Sequence, residues 1–176
     1  TCLVISKKLT DSIIGISCFS HELIHQKLNS VIYGNYSIKS AIDIACYDLA
    51  SKSRKTSLHK YLGGDLKKKI YTDYTVSLCD VDKMVEQARS IVEKGFKIIK
   101  VKLGDDGKKD VERIKSIREC IGYDKKIRID ANQGWKIEEA IETLQSINKY
   151  QIQYCEAPIN RELSYRLNEV KEASPI

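Results

Sequence analysis

The chain has 176 residues, a length that fills one domain or slightly more than one. Its formal net charge is +6, but acidic and basic residues are interleaved and no basic run carries aromatic residues, which excludes a nucleic-acid-binding stripe. No apolar run approaches the length of a membrane span, and no secretory signal pattern is present. We therefore expect a globular, cytoplasmic protein without nucleic-acid or membrane partners.

The cysteines and histidines predict neither a disulfide framework nor a zinc site. The cysteines are scattered and no two have the Cys-x-x-Cys spacing, which favours buried free thiols in a reducing compartment. The three histidines have no metal-ligand spacing either. The six cysteines are Cys2, Cys18, Cys46, Cys79, Cys120 and Cys155.

Both ends of the chain are typical of cuts in a longer polypeptide. It begins at Thr1 without an initiator methionine, and it ends at Ile176 in a sequence typical of the entry to another strand. We expect further chain on both sides.

The first third predicts the remnant of an α+β capping domain over residues 1–66. Residues 3–6 and 13–19 are predicted as two strands of a small sheet, and residues 23–32 as a weak helix. A clear helix begins at Ser37, a plausible N-cap, and a break follows at Gly63-Gly64. The apolar residues of this linker helix are Ile38, Ala41, Ile42, Ala45, Cys46 and Leu49.

Residues 67–176 predict four strand-helix units in tandem. The expected strands cover residues 71–77, 97–103, 126–132 and 152–156, and an amphipathic helix follows each of them. Asp80 or Asp82 is expected to cap the first helix, Gly95 to end it, and Asn160 to cap the last. Short loops and helical crossovers between apolar strands predict a parallel sheet.

Polar residues at the strand ends distinguish two architectures for these units. Thr75, Lys102, Asp130 and Glu156 follow one another at intervals of 27, 28 and 26 residues. A small doubly wound sheet and half of an eight-unit barrel both fit that repeat. Barrel enzymes place their chemistry at the carboxyl ends of the strands. We therefore predict an α/β fold, the first half of a (β/α) barrel preceded by the capping remnant.

Two lysines share one face of the second strand. Lys100 and Lys102 alternate with buried positions, and both burial and the like charge lower a lysine pKa, which suits a base near neutral pH. Asp130 and Glu156 offer the oxygen ligands that Mg²⁺ prefers. Structural readings stay open: solvated lysines on an edge strand, or Asp130 paired with Lys100 or Arg128. A Schiff-base aldolase using either lysine is a weaker alternative.

Ordered motifs along the chain resemble those of a known family. Lys-x-Lys at 100–102 is followed by Arg-x-Asp-Ala-Asn at 128–132 and Glu-x-Pro at 156–158. This sequence resembles the muconate-lactonizing branch of the enolase superfamily. Thr-Asp-Tyr-Thr at 72–75 is most similar to dipeptide epimerases of the L-Ala-D/L-Glu type. Further matching stretches are residues 41–45, 47–49, 62–64 and 133–135.

The resemblance implies a role for each matching residue in a Mg²⁺-dependent epimerisation of a dipeptide. Lys102 would be one of two acid/base lysines on opposite faces of the substrate α-carbon. Lys100 would stay charged, lower the pKa of Lys102 and hold the substrate carboxylate. Asp130 and Glu156 would be two of three Mg²⁺ ligands, Thr75 would contact the dipeptide, and Asn132 would support the metal site.

Two departures from the family pattern matter. Ala157 stands where many relatives have Gln, and the third metal ligand and second lysine belong to the fifth and sixth strands, beyond Ile176. We therefore expect the chain alone to bind Mg²⁺ weakly and to epimerise nothing. Open alternatives are a cycloisomerase or an o-succinylbenzoate synthase, and a non-catalytic half-barrel whose open sheet edges pair with a partner or in a homo-oligomer.

Overall fold

The computed structural model describes residues 2–65 and 69–176. The chain divides into two compact units, residues 1–69 and 70–176. The predicted domain boundary between residues 66 and 67 lies outside the described residues. In the part of the chain that is described, no helix combines the length and the apolar character needed to cross a bilayer.

The described residues of the first unit form helices and turns only. The helices are α1 (Cys2–Asp11), α2 (His21–Val31), α3 (Tyr36–Ser53) and α4 (Leu58–Tyr61). The predicted strands at 3–6 and 13–19 are therefore wrong, while the predicted helix at 23–32 is confirmed by α2. Apolar side chains three or four positions apart pack on one cluster around Leu9, which is the spacing of a helix face and not of a strand. Those residues are Ile5, Leu9, Ile13 and Ile16.

Helix α3 begins slightly earlier than the sequence predicts. Its N-cap is Asn35 and not Ser37, and Asn35 has a left-handed backbone with φ of 55°. Asn is one of the few residues with a side chain that adopt this conformation readily. The predicted linker helix is thus confirmed with a different cap.

The second unit is a parallel sheet of four strands in sequential order. The strands are β1 (Tyr74–Val76), β2 (Ile98–Lys102), β3 (Lys126–Asp130) and β4 (Ile152–Glu156), arranged β1-β2-β3-β4. A doubly wound sheet would reverse its strand order at a switch point, whereas this one advances in a single direction. The predicted first half of a (β/α) barrel is confirmed.

Helices follow each strand and bury one face of the sheet. They are α5 (Val81–Glu93), α6 (Gly107–Ile121), α7 (Ile137–Ile147) and α8 (Leu167–Ala173), with 3-10 helices at Asn148–Tyr150 and Arg161–Arg166. Asp80 occupies the N-cap position of α5, as predicted, but its side chain makes no capping hydrogen bond. Gly95 follows the helix with φ of 91°, as predicted. The side chains of Ile99, Val101, Ile127 and Ile129 are fully buried in the core between this face and the helices.

The six cysteines are free thiols, as predicted. They are not uniformly buried, since Cys2 is exposed and the other five are half-buried. Burial raises the pKa of the Cys155 thiol, on the core face of β4, to about 12. This thiol is therefore neutral at physiological pH and is a poor nucleophile.

Strand β4 contains a bulge that the sequence does not predict. Ile127 pairs with Ile152 and Ile129 with Cys155, so β3 advances by two residues while β4 advances by three. Because strand side chains alternate, one extra residue transfers every later side chain to the opposite face. The bulge therefore aligns Glu156 with Asp130 and turns it away from the core face that Ile152 occupies.

Arg118 ties together the amino ends of the sheet. Its side chain is 1% exposed and donates to the carbonyl oxygens of Tyr150 at 2.9 Å, Gly122 at 2.7 Å, Lys125 at 2.8 Å and Gln151 at 3.2 Å. All four of these residues lie in the segments that lead into β3 and β4. Burial lowers the pKa of this guanidinium, but an arginine stays charged at physiological pH. A rigid fork of donors suits this set of carbonyl acceptors better than an ammonium would.

We predict that Arg118→Met lowers the free energy of unfolding by about 3 kcal/mol, since each buried carbonyl left without a partner costs about 1–3 kcal/mol. Arg118→Lys should recover part of that loss. Urea denaturation measures the effect, and Lys115→Ala, an exposed change on the same helix, is the matched control. A loss no larger than that of Lys115→Ala would contradict the role of Arg118.

Asp106 caps α6, and its contribution should depend on pH. Its carboxylate accepts the N–H groups of Lys109 and Lys108, and these hydrogen bonds lower the Asp106 pKa. A lowered folded-state pKa adds stability that is present above the unfolded value of about 3.9 and is lost as the pH falls through the folded value. Asp106→Asn keeps the cap without the titration. We expect the wild-type chain to melt above this variant at pH 7 and to lose that advantage at pH 2.5, by differential scanning calorimetry. An advantage independent of pH would contradict this account.

Candidate active site

Four of the predicted site residues converge at the carboxyl ends of β2, β3 and β4. Lys102 is in register with Asp130, and Asp130 with Glu156, so the three side chains form a row across neighbouring strands. Lys100 lies two residues earlier on β2 and faces the same side. This side is opposite the helix-packed core, which places the row on the inner face of the half-barrel.

Ion pairs connect the two lysines with the two carboxylates. Lys102 Nζ lies 2.7 Å from Asp130 Oδ2, and Lys100 Nζ lies 3.1 Å from the same oxygen. Lys100 Nζ also lies 2.5 Å from Glu156 Oε2. The Asp130 side chain is 5% exposed, while that of Glu156 is 52% exposed. Asp130 is thus the buried centre of the row, and Glu156 faces the open side of the sheet.

These contacts reverse the expected pKa shift of Lys100. Its hydrogen bond to Glu156 raises the Lys100 pKa, and Asp130 adds to this against the opposing effect of burial. The sequence-based expectation that burial and like charge lower it is wrong for this lysine, because two carboxylates outweigh one neighbouring ammonium. Burial raises the pKa of Asp130, but hydrogen bonds from Lys102, the Asn132 N–H and Lys100 more than offset it and hold that pKa below its ordinary value.

The two carboxylates suit a divalent cation. The Lys100 ammonium contacts Asp130 Oδ2 and Glu156 Oε2 together, so the two oxygens already converge on one positive charge. Oxygen donors of this kind are those that Mg²⁺ takes from proteins. Among residues 2–65 and 69–176, no three His, Cys, Asp or Glu side chains form a cluster able to hold a metal ion. The fit therefore extends to two ligands.

Thr75 and Asn132 lie beside this row. Thr75 is exposed on β1, and its Cα is in register with that of Lys100. Asn132 is exposed just beyond β3 with φ of 49°, and its backbone N–H donates to Asp130 Oδ1 at 3.0 Å. Asn132 thus orients Asp130 through its main chain.

Of the two pairings that the sequence leaves open for Asp130, the one with Lys100 is present, whereas Arg128 pairs elsewhere. Its guanidinium donates to Asp73 Oδ2 at 2.9 Å and to Gln153 Oε1 at 2.8 Å. Asp73 precedes β1 and Gln153 lies in the β4 bulge. Arg128, on β3, therefore connects β4 with the segment that leads into β1. These contacts form a polar layer directly below the row of site residues.

Sequence reasoning missed a buried acidic residue behind the site. Asp110, in the first turn of α6, is fully buried and accepts from Gly104 N at 2.8 Å, Trp135 Nε1 at 2.9 Å and Arg113 at 2.7 Å. The helical periodicity of α6 does indicate that Asp110 is buried. Asp110 lies four and seven positions before Ile114 and Ile117 and therefore shares their apolar face, where a charge needs a specific partner.

Comparison with protein families identifies the two units. Residues 83–176 match the family described as enolase C-terminal domain-like, and residues 2–63 match the mandelate racemase / muconate lactonizing enzyme N-terminal domain. This chain belongs to the enolase superfamily. The resemblance that its motifs carry is therefore confirmed, across both units.

Several epimerases of this superfamily are similar to the chain. The D-Ala-D/L-Ala epimerase of Cytophaga hutchinsonii is 44% identical over 176 residues, which are all of this chain and 48% of that protein. The L-Ala-D/L-Glu epimerase of Clostridium acetobutylicum is 39% identical over 88% of this chain and 44% of its own length. The crystal structure of a dipeptide epimerase from Cytophaga hutchinsonii, complexed with Mg and D-Ala-L-Val, superposes with a TM-score of 0.95 at 44% identity, over 98% of this chain and 47% of that one. The chain spans about half the length of the superfamily members that it matches.

The loops after β2 and β3 touch at two glycines. Gly104 has φ of 102°, and a Cβ there would collide with the carbonyl oxygen of Ala131, while a Cβ on Gly134 would collide with the carbonyl oxygen of Gly104. Only glycine permits backbones to approach this closely. The contact lies two residues beyond Lys102 and immediately beyond Asp130.

We predict that Gly104→Ala destabilises the fold more than Gly95→Ala does. Both sites have similar positive φ values, but nothing lies within 4 Å of a Cβ at Gly95. Both variants carry the strain of a left-handed alanine, about 1–2 kcal/mol. Only Gly104→Ala adds a collision, worth about 1–3 kcal/mol more. Thermal and urea unfolding of the two variants measure the difference, and equal losses would show that the loops separate freely.

Proposed function

We propose that this chain supplies half of the active site of a Mg²⁺-dependent epimerase that acts on a dipeptide. The observation that carries the proposal is the row of Lys102, Asp130 and Glu156 at adjacent strand ends, with Lys102 Nζ 2.7 Å from Asp130 Oδ2. Membership of the enolase superfamily and the similarity to epimerases over this whole chain support it.

Lys102 is the proposed acid/base on one face of the substrate. Its side chain is 31% exposed on the inner face of the sheet, and its Nζ is held 2.7 Å from Asp130 Oδ2. Removal of the α-proton by one lysine and delivery of a different proton by a second, protonated lysine on the opposite face would invert the configuration. A bound Mg²⁺ would supply positive charge against the negative charge that develops on the substrate carboxylate.

Asp130 and Glu156 are the proposed ligands of that cation. Asp130 is already fixed by the Asn132 N–H, whereas the half-exposed Glu156 is held by Lys100. The charged Lys100 would then be free to attract the substrate carboxylate, and its raised pKa keeps it an ammonium. Thr75, exposed next to Lys100, is the proposed contact for the dipeptide, and Asn132 orients the metal ligand.

The proposal requires a third metal ligand and a second lysine from outside these 176 residues. The family resemblance assigns them to the fifth and sixth strands of the barrel. We therefore expect no epimerisation by the 176-residue chain alone. Measurable turnover by a chain of verified mass would contradict this division of the site.

The decisive experiment joins this chain to the remaining half of the Cytophaga hutchinsonii D-Ala-D/L-Ala epimerase. With Mg²⁺ in D₂O, we expect the hybrid to incorporate deuterium at the α-carbon of a dipeptide such as L-Ala-L-Ala or L-Ala-L-Glu, followed by mass spectrometry and NMR. Lys102→Met should lower the exchange rate by at least about 100-fold, the usual contribution of a general acid or base.

Lys97→Met is the matched control, because Lys97 is an exposed lysine immediately before the other end of the same strand. It should leave the exchange rate unchanged. A folded hybrid that exchanges no dipeptide, or that loses as much rate in Lys97→Met as in Lys102→Met, would overturn the proposal. Turnover of N-succinyl amino acids in place of dipeptides would keep the acid/base chemistry and change the substrate.

A further inference from the structure

The buried carboxylate of Asp110 joins the two loops that carry the site. One of its oxygens, Oδ2, accepts both the backbone N–H of Gly104 at 2.8 Å and the indole N–H of Trp135 at 2.9 Å. Gly104 lies two residues beyond Lys102, and Trp135 lies five residues beyond Asp130. A single oxygen atom thus connects the segments that leave β2 and β3.

Arg113 holds this carboxylate in place from the other side. It donates to Asp110 Oδ1 at 2.7 Å, and its guanidinium also lies 3.5 Å from Asp105 in the loop after β2. A fully buried carboxylate requires such a partner. With Oδ1 held by Arg113, Oδ2 is aimed at the two loops and has a fixed direction.

The loops themselves have little room to adjust. Their backbones meet at Gly104 and Gly134, and the Leu103 N–H donates to the Asp130 carbonyl oxygen at 2.9 Å. Any change in the direction of the Gly104 N–H is therefore transmitted to Leu103 and from there to Asp130. Lys102 and Asp130 sit immediately beside this contact.

We infer that Asp110 is a positioning residue that sets the ends of β2 and β3 relative to each other, and with them the separation of Lys102 and Asp130. The importance of that separation for catalysis rests on the proposed function. The positioning role is a property of the chain and can be measured without any turnover.

Amide hydrogen exchange on the 176-residue chain tests the inference directly. In Asp110→Asn, a side-chain NH₂ group faces donors whose hydrogen bonds the carboxylate of Asp110 accepts. We therefore expect the backbone amides of Leu103 and Asn132 to exchange at least about tenfold faster. The Lys126 amide, which donates to the Lys97 carbonyl oxygen at the opposite end of the same strands, should be unaffected. Trp135→Phe, which removes only the indole donor, should accelerate exchange at the same amides by a smaller factor. This variant replaces Asp110→Asn in the test if Asp110→Asn does not fold.

Arg118→Met is the crossed control, since Arg118 holds the amino ends of the strands. It should accelerate exchange at Lys126 more than at Leu103, the reverse of the order expected for Asp110→Asn. Uniform acceleration along the whole sheet in Asp110→Asn and Trp135→Phe would show that Asp110 contributes only to global stability, and would overturn the inference.

Binding of Mn²⁺ tests whether the positioning role of Asp110 affects the proposed metal site. Paramagnetic broadening by Mn²⁺ should centre on Asp130 and Glu156 in the wild-type chain. Asp110→Asn should weaken this binding about tenfold, at the low end of what changes around metal ligands cause. No broadening in the wild-type chain would count against the proposed metal site, while the exchange pattern would still decide the role of Asp110. Local exchange changes with unaltered Mn²⁺ affinity would overturn its relevance to the site.

Discussion

Two lysines and two carboxylates at the ends of neighbouring strands depend on one another, and the inner face of the half-barrel is organised around them. Burial disfavours the charge of Asp130, whose side chain is 5% exposed, and contacts with Lys102 and Lys100 offset that cost. Asp130 and Glu156 in turn balance the two lysine charges on one face of β2. Charges of both signs therefore lie close together and partly shielded from water. Such a set can exchange partners when a charged ligand enters, because Lys100 and Asp130 each already contact two groups of opposite charge.

The sheet uses different chemistry at its two ends. Arg118 satisfies neutral carbonyl groups at the amino ends, and Asp110 satisfies donors at the carboxyl ends, so each loop cluster is held by one buried ion from the same helix, α6. In β/α barrels the amino-end face contributes stability, while the carboxyl-end face carries the chemistry. Helix α6 therefore couples the two faces within 15 residues.

The parts of this fold that follow from local periodicity could be predicted, and those that depend on distant partners could not. Alternation along β2 and β3 was sufficient to place Lys102 beside Asp130. The predicted N-terminal strands are wrong because the apolar residues there, such as Ile5 and Leu9, are spaced to form one face of a helix. The Lys100 pKa was misjudged because Glu156, which raises it, is 56 residues away. Asp110 shares the apolar face of α6, but two of its three partners come from loops that no local pattern connects.

The bulge in β4 has a consequence for how this segment can change during evolution or engineering. Glu156 faces inward because five residues of β4, Ile152–Glu156, oppose four of β3, Ile127–Asp130, and the bulge takes up the extra one. Regular pairing at unchanged length would exchange the faces of Glu156 and Cys155, placing a thiol among the lysines and a carboxylate in the apolar core. Deletion of one residue within the bulge would instead restore regular pairing and leave both side chains on their present faces, so this strand can become one residue shorter only if it loses the bulge as well.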